Sequence, residues 1–211
     1  GDLICVAGIA DLNIGETLCA PECVEPLPFV KIDEPTISMN FMVNDSPFAG
    51  REGKYVTSRN LRDRLFKEVE TNVSMRVEET DSMDTFKVSG RGELHLSILI
   101  ETMRRENYEF AVSRPQVILK KDPQTGKTLE PMELAIIEVP EAYVGAVMEK
   151  LCSHKGEIEN MDTRSTGMTH LEIKIPARGL IGYRSEFLTD TNGNGIMNQL
   201  FGGYEPYKGE I

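Results

Sequence analysis

The stretch Thr36-Ile37-Ser38-Met39-Asn40-Phe41-Met42-Val43 places an apolar side chain at every second position from Ile37 onward. This period is typical of a β-strand with one buried face. After a loop that contains Gly and Pro, apolar side chains recur at the spacing of one helix face, and Ser58 is a suitable N-cap for that helix. The apolar helix positions are Leu61, Leu65, Phe66, Val69 and Val73. The sequence therefore predicts a strand followed by an amphipathic helix.

The residues that follow complete a six-element unit. Alternating segments at 75–77 and 86–88 flank the turn-like residues 81–84, which predicts a hairpin. Residues 90–92 then open a second helix that runs through Met103, and its high apolar content predicts deep burial. A strand at 110–112 gives the order βαββαβ. This order is typical of a ferredoxin-like fold, in which two helices cover one face of a four-stranded antiparallel sheet.

A second unit repeats this order. Glu130-Pro131 precedes its first strand as Glu34-Pro35 precedes the strand quoted above. Its predicted elements are a strand at 134–139, a helix at 143–153, strands at 156–161 and 168–175, a helix after Arg178-Gly179, and a strand at 196–200. We therefore expect an α+β protein with two tandem ferredoxin-like domains, at 34–114 and 129–205, joined by a connector at 115–128.

The first 33 residues differ from these units. Apolar segments at 3–7 and 17–19 predict two short strands, a β remnant that reads as the tail of a β domain over 1–25. Pro26 and Pro28 then disfavour regular pairing, which predicts an extended linker over 26–33. Because the chain begins without Met and inside an apolar run, we expect it to be a piece of a longer protein.

Charge is distributed unevenly along the chain. The net charge of -11 argues against a protein that coats duplex nucleic acid. Between residues 51 and 67, however, six bases face only Glu52 and Asp63, a local surplus of +4. The six bases are Arg51, Lys54, Arg59, Arg62, Arg64 and Lys67. This stretch is either a solvated helix face with i,i+4 partners or a surface that contacts phosphates.

A second candidate contact lies before the last predicted helix. Arg178 and Arg184 flank Tyr183 in a Gly-rich segment, where exposed amides and the helix dipole would favour an anion. The alternative is a tight helix start that needs Gly179 and Gly182 for packing.

No motif for catalysis, nucleotide binding or metal binding is found. Gly126-Lys127-Thr128 fails as a phosphate loop because the pattern requires Gly where the chain has Lys121, and residues 122–126 are better explained as a turn. The four Cys and three His lack the spacing of a zinc site or a catalytic triad. No stretch has the roughly 18–20 apolar residues of a membrane helix. We expect a soluble cytoplasmic chain with free thiols and without a catalytic residue, metal or cofactor of its own.

Two segments resemble a known family. Gly90-Arg91-Gly92-Glu93-Leu94-His95-Leu96 resembles a motif of the elongation factor G type of translational GTPases, and residues 176–195, from Pro176 to Gly195, resemble the BipA/TypA branch of that superfamily. The motif residues are Gly92, Glu93, His95, Gly179 and Gly182. The resemblance implies the end of β-barrel domain II at 1–25, domain III at 34–114, domain V at 129–205, and the start of a C-terminal domain at 206–211.

The resemblance also implies a function. The parent protein would be a monomeric GTP hydrolase that binds GTP and magnesium in another domain. It would dock at the elongation-factor site, contact both ribosomal subunits and large-subunit RNA, reach tRNA through its C-terminal domain, and support stress-adapted translation and large-subunit assembly. The two basic clusters above, with Tyr183, are the candidate contacts. Two rivals stay open: a tandem ferredoxin-like module that senses a small molecule, and an inert structural spacer.

Overall fold

The computed structural model describes residues 1–9, 12, 14–29 and 34–211 of the chain. The chain divides into two compact units, one formed by residues 1–35 and 40–112 and the other by residues 36–39 and 113–211. Each unit contains a mixed arrangement of strands and helices. The predicted α+β class is confirmed, whereas the domain limits at 34–114 and 129–205 stay predictions.

The first unit, taken below as the four-stranded sheet that begins at Ile37 together with its two helices, has the predicted order of elements, although residues 37–39 of its first strand are grouped with the other compact unit. Its elements are β1 (Ile37–Met42), α1 (Ser58–Thr71), β2 (Arg76–Glu79), β3 (Thr85–Gly90), α2 (Glu93–Arg105) and β4 (Ala111–Val112). The sheet order is β2-β3-β1-β4, and the two-residue strand β5 (Gln116–Val117) also pairs with β1. Along β1, Ile37, Met39 and Phe41 are buried, so the period of two seen in the sequence does mark the inward face.

Two details of these helices differ from expectation. The N-cap of α1 is Thr57, whose hydroxyl accepts a hydrogen bond from the Asn60 N–H at 3.3 Å. The predicted N-cap, Ser58, is instead the first helical residue and donates to the Met83 carbonyl. The deep burial predicted for α2 is also wrong, since Leu94 is 65% exposed and Ile98 is 57% exposed. A helix that lies on one sheet buries only the stripe that faces the sheet.

The second unit repeats the arrangement with longer strands. Its elements are β6 (Lys120–Lys121), β7 (Thr128–Pro140), α3 (Glu141–Ser153), β8 (Glu157–Thr163), β9 (Met168–Pro176), a 3-10 turn (Ala177–Gly179), α4 (Tyr183–Asp190) and β10 (Ile196–Pro206). The order β10-β7-β9-β8 matches that of the first sheet, and β6 adds to β7. β7 and β10 pair from Glu138 and Ile196 at one end to Leu129 and Pro206 at the other, so both strands are longer than predicted.

The core of the second unit lies between its sheet and its helices. Alternate residues of β7 and β9, such as Ile137 and Ile173, are fully buried under Val147, Leu151 and Phe187 of α3 and α4. The close packing leaves no room at Gly195, where a Cβ atom would lie 2.4 Å from Cζ of Phe187. The tandem ferredoxin-like architecture is thus confirmed.

The segment before β1 does not form the predicted β remnant. Among the described residues before β1, the only bridge joins Ala20 to Cys23, and the strands expected at 3–7 and 17–19 are absent. A strand is stable only where a neighbour satisfies its backbone groups, and no described residue pairs with 3–7. Residues 30–33 of the predicted linker at 26–33 lie outside the described residues. None of the helices in the described ranges combines the length and hydropathy that a membrane crossing requires.

Candidate functional site

The outer face of α1 presents two of the predicted basic residues to solvent. Leu61 and Leu65 are buried on the opposite face, which fixes the rotation of the helix and points residues 59, 63 and 67 outward. The side chain of Arg59 is 90% exposed and only approaches Asp63, at 3.9 Å. Lys67 is also exposed. These two cations can reach a partner without breaking a buried contact.

Arg62 is more constrained. Its Nε donates to Oε1 of Glu79 at 2.6 Å, and its guanidinium carbon lies 4.8 Å from the centre of the Phe66 ring. Half of the side chain stays exposed. Arg62 therefore links α1 to β2, and its charge is partly neutralised by an acid that lies outside the basic stretch.

Arg64 is an internal brace. Its guanidinium donates to both carboxylate oxygens of Glu106, at 2.5 and 3.0 Å, and to Glu68 at 2.9 Å. The hydrogen bond to Glu106 raises the pKa of Arg64 and, in return, the pKa of Glu106 falls below its usual value. Only 12% of the Arg64 side chain is exposed. In the structure this side chain joins α1 to the end of α2, and its role as a ribosome contact stays a prediction.

Arg51 and Lys54 lie on the loop between β1 and α1, which is ordered by a residue that the sequence analysis missed. The carboxylate of Glu109 accepts hydrogen bonds from the backbone N–H groups of Gly50, Glu52 and Gly53 and from the Asn44 amide, at 2.8–3.1 Å. These bonds, led by the one from Gly50, lower the pKa of Glu109. Glu109 follows the loop by more than 50 residues, so no local pattern marks the pairing.

In the second unit, Arg178 also serves the fold. Its Nε lies 2.5 Å from Oε2 of the fully buried Glu130, and its Nη2 donates to the Gly209 carbonyl. The guanidinium carbon lies 4.5 Å from the centre of the Tyr207 ring. With 16% of its side chain exposed, Arg178 fastens the segment after β10 to the start of β7. Its role as a ribosome contact stays a prediction.

Tyr183 and Arg184 have opposite environments. Tyr183 is 2% exposed within the core, and burial raises the pKa of its hydroxyl to about 12. Tyr183 thus lies in the core, whereas Arg184 is exposed, and the contacts predicted for both stay predictions. A Cβ atom at Gly179 would lie 2.9 Å from the His154 carbonyl oxygen, and Gly182 has a φ of +77°. These glycines support the tight helix start that was the alternative to an anion site.

The motif residues Gly92, Glu93 and His95 lie at the start of α2. Gly92 is the N-cap, and Glu93 places a negative charge in the first turn, where the helix dipole favours it. Nε2 of His95 lies 2.9 Å from the side-chain nitrogen of Asn72, the C-cap of α1. Burial lowers the pKa of His95, and the nearby positive charge of Arg91 lowers it further. This motif joins two helix ends and holds no nucleophile.

Among the described residues, no group of three or more His, Cys, Asp or Glu side chains could hold a metal ion. The groove between α1 and the β2–β3 turn is lined by polar and charged residues, with Met83 and Phe86 as its apolar members. Another groove, beside Arg64 and Glu106, is again mainly charged. A module that senses a small apolar molecule would need a different lining.

Several known proteins are similar to this chain over all or nearly all of its length. A protein from Synechocystis named large ribosomal subunit assembly factor BipA is 55% identical over 100% of this chain and 35% of the relative. Proteins of the same name from Bacillus subtilis and Salmonella typhimurium are 53% and 51% identical over 98% and 100% of this chain, and 33% and 35% of their own lengths. A family model described as the elongation factor G C-terminus matches residues 127–211.

The chain is a BipA-type sequence of the elongation factor G superfamily. The family resemblance stated from the sequence is thereby confirmed. This BipA-type chain spans about a third of the length of the curated relatives it matches. A crystal structure of a protein from Thermus thermophilus aligns with a TM-score of 0.51 over 86% of this chain and 42% of the other, at 15% identity. That likeness concerns the fold alone.

Proposed function

We propose that this chain is a ribosome-contacting portion of a translational GTPase and that the first unit touches ribosomal RNA through α1 and the loop before it. The proposal rests on the exposed cations of α1 and its preceding loop that are not held in close ion pairs. In the described part of the chain, Arg51, Lys54 and Lys67 take part in no ion pair within 4 Å, and Arg59 has only a distant one.

Such an arrangement suits contacts to the phosphate backbone. Phosphate contacts position a protein on RNA without reading its sequence, and they need exposed Lys or Arg side chains on a firm scaffold. The buried stripe of α1 and the Arg64 brace supply that scaffold. Arg184 is the corresponding exposed cation of the second unit.

The wider role follows from the relatives, whose name describes assembly of the large ribosomal subunit. We infer a monomeric cytoplasmic parent that docks at the elongation-factor site, contacts both subunits and large-subunit RNA, and supports stress-adapted translation. GTP hydrolysis with magnesium would take place in another domain of that parent, conditional on docking. Contact with tRNA would fall to a C-terminal domain.

Co-sedimentation of the 211-residue chain with purified ribosomes and separated subunits, across a salt series, tests this proposal. We expect salt-sensitive binding, and we expect the Arg59→Ala/Lys67→Ala double variant to lower the slope of log affinity against log salt by about two, one for each lost phosphate contact.

The matched control is the Arg104→Ala/Arg105→Ala variant, which removes two exposed bases at the end of α2. An equal loss of slope in both double variants would show a general charge effect and contradict the assignment to α1. Absence of ribosome binding by the chain would favour the inert spacer.

A further inference from the structure

The loop between β1 and α1 displays an aromatic ring beside a guanidinium group. Phe48 is 63% exposed, and the guanidinium carbon of Arg51 lies 4.8 Å from the centre of its ring. Both groups are flat, and unpaired nucleic-acid bases stack on either kind of surface. The pair thus has the shape and the charge of a stacking platform.

The backbone beneath this pair is held in one conformation. The Glu109 carboxylate binds both ends of the turn, at Gly50 and at Glu52 and Gly53. Ser46 closes the turn from the other side, because its carbonyl accepts from the Ala49 N–H and its hydroxyl accepts from the Phe48 N–H. A loop that is already ordered loses little entropy when it binds a partner.

Glycine is required at the point where the loop meets the body of the unit. A Cβ atom at Gly53 would lie 2.7 Å from Cβ of Glu109 and 2.9 Å from the Asn107 carbonyl oxygen. The same carbonyl accepts hydrogen bonds from the N–H groups of Lys54 and Tyr55. The close approach therefore clamps the loop directly onto the segment between α2 and β4 that carries Glu109.

We propose that Phe48 and Arg51 form a stacking platform for an unpaired RNA base and that Glu109 is the positioning residue that holds them in place. This inference deepens the proposed function and rests on it, since it specifies single-stranded RNA as the class of element bound by the first unit. Arg51 and Lys54 supply positive charge for the adjoining phosphates while the ring of Phe48 takes the base.

RNA fits this loop better than a protein partner does. A protein interface needs a contiguous apolar patch around its central aromatic anchor. The chain neighbours of Phe48 are Pro47, Ala49 and Gly50, which are small and exposed. A single flat ring with a cation beside it matches one base and its phosphate, not an apolar patch.

The chain contains no Trp, so a Phe48→Trp variant carries a single indole at the platform. We would titrate this variant with a single-stranded RNA oligonucleotide, with the duplex of the same sequence, and with inorganic polyphosphate. Stacking should quench the indole fluorescence with the single strand and leave it unchanged with polyphosphate and duplex. The matched control is Tyr207→Trp, because Tyr207 also has an Arg over its ring but that guanidinium is committed to Glu130.

Two further variants test the roles of the ring and the carboxylate. Phe48→Leu keeps an apolar side chain without the flat ring and should weaken single-strand binding by about fivefold or more. In the Phe48→Trp/Glu109→Gln double variant, the quenching should be smaller than in Phe48→Trp alone. The circular dichroism spectrum should stay unchanged, which shows that the fold is intact. Equal quenching by polyphosphate, or none by the single strand, would overturn the inference.

The outcomes separate this inference from the proposed function. If ribosome binding depends on Arg59 and Lys67 but ignores Phe48→Leu, only the stacking platform is rejected. If the chain fails to bind ribosomes while single-stranded RNA still quenches the indole, only the ribosome contact is rejected. If Phe48→Leu weakens ribosome binding and single-stranded RNA causes no quenching, the partner at this loop is a protein and the RNA assignment is wrong.

Discussion

Glu133 is a carboxyl group that the fold buries without compensation. It lies on β7 opposite Ile175 and is 8% exposed, and its Oε2 has no hydrogen-bond partner among the described residues. Burial alone raises the pKa of Glu133 to about 7. The residue therefore holds a proton in the native state at pH values where the unfolded chain has lost it.

This difference makes stability depend on pH in a known direction. Between about pH 4.5 and 7 the native state binds more protons at Glu133 than the unfolded state does, so the contribution of Glu133 to stability falls as pH rises. We expect Glu133→Gln to raise the free energy of unfolding by about 1–3 kcal/mol at pH 8 and by much less at pH 5. Urea unfolding at both pH values measures this difference. The exposed Glu149→Gln should show no such change, and a pH-independent effect of Glu133→Gln would contradict the assignment.

At the scale of elements, the second unit is closed by an ion pair between the 3-10 turn and β7. Glu130 is fully buried and accepts from Arg178 and from the Lys208 N–H, at 2.5 and 2.7 Å. Replacing such a pair by well-packed apolar residues is often neutral or stabilising, because both charges lose water when they are buried, but removing one partner leaves a buried charge alone.

We expect Arg178→Met to lower the free energy of unfolding at pH 7 by about 3–5 kcal/mol. The Glu130→Gln/Arg178→Met double variant should recover part of that loss, because it no longer buries an unpaired carboxylate. Urea unfolding of the two variants measures both effects. Lys208→Ala is the control, since its side chain pairs with the exposed Glu157 and its loss should change stability by about 1 kcal/mol or less. An Arg178→Met variant of normal stability would contradict this structural role of Arg178.

The structure also explains why sequence reasoning assigned these arginines to the surface. A linear count of charges treats Arg178 and Arg64 as free, because no acidic residue lies within three positions of Arg178 and only Asp63 lies within three positions of Arg64. Arg64 has one partner four residues away, Glu68, but Glu106, which pairs with it in two hydrogen bonds, lies 42 residues away, and Glu130 lies 48 residues from Arg178. Only the packing of distant elements brings such partners together.

At the scale of the whole molecule, the negative net charge disfavours non-specific binding to polyanions. The chain carries a net charge of -11, so its exposed cations act against a repulsive background field. We expect the chain to leave a heparin column at low salt and to bind duplex DNA poorly in a buffer where it still binds ribosomes. Elution from heparin only at high salt would contradict a local, shape-dependent contact.

The amino-acid sequence by itself determined the order and the inward faces of the elements. The period of two in β1 and the helical spacing in α1 directly reflect which side chains must leave water, and the same logic applied twice predicts both βαββαβ units. It also ruled out a phosphate loop, because that motif depends on residues that are close in sequence.

Tertiary structure decided which polar groups stay available. Glu109 orders the loop that carries Phe48 and Arg51. The guanidinium of Arg64 pairs with Glu106, and the ring of Tyr183 lies in the core. The strands predicted at 3–7 and 17–19 failed for a related reason, since a strand forms only beside a partner. Periodicity records the burial of each element on its own, whereas ion pairs, clamps and strand pairs join residues that only the folded chain brings together.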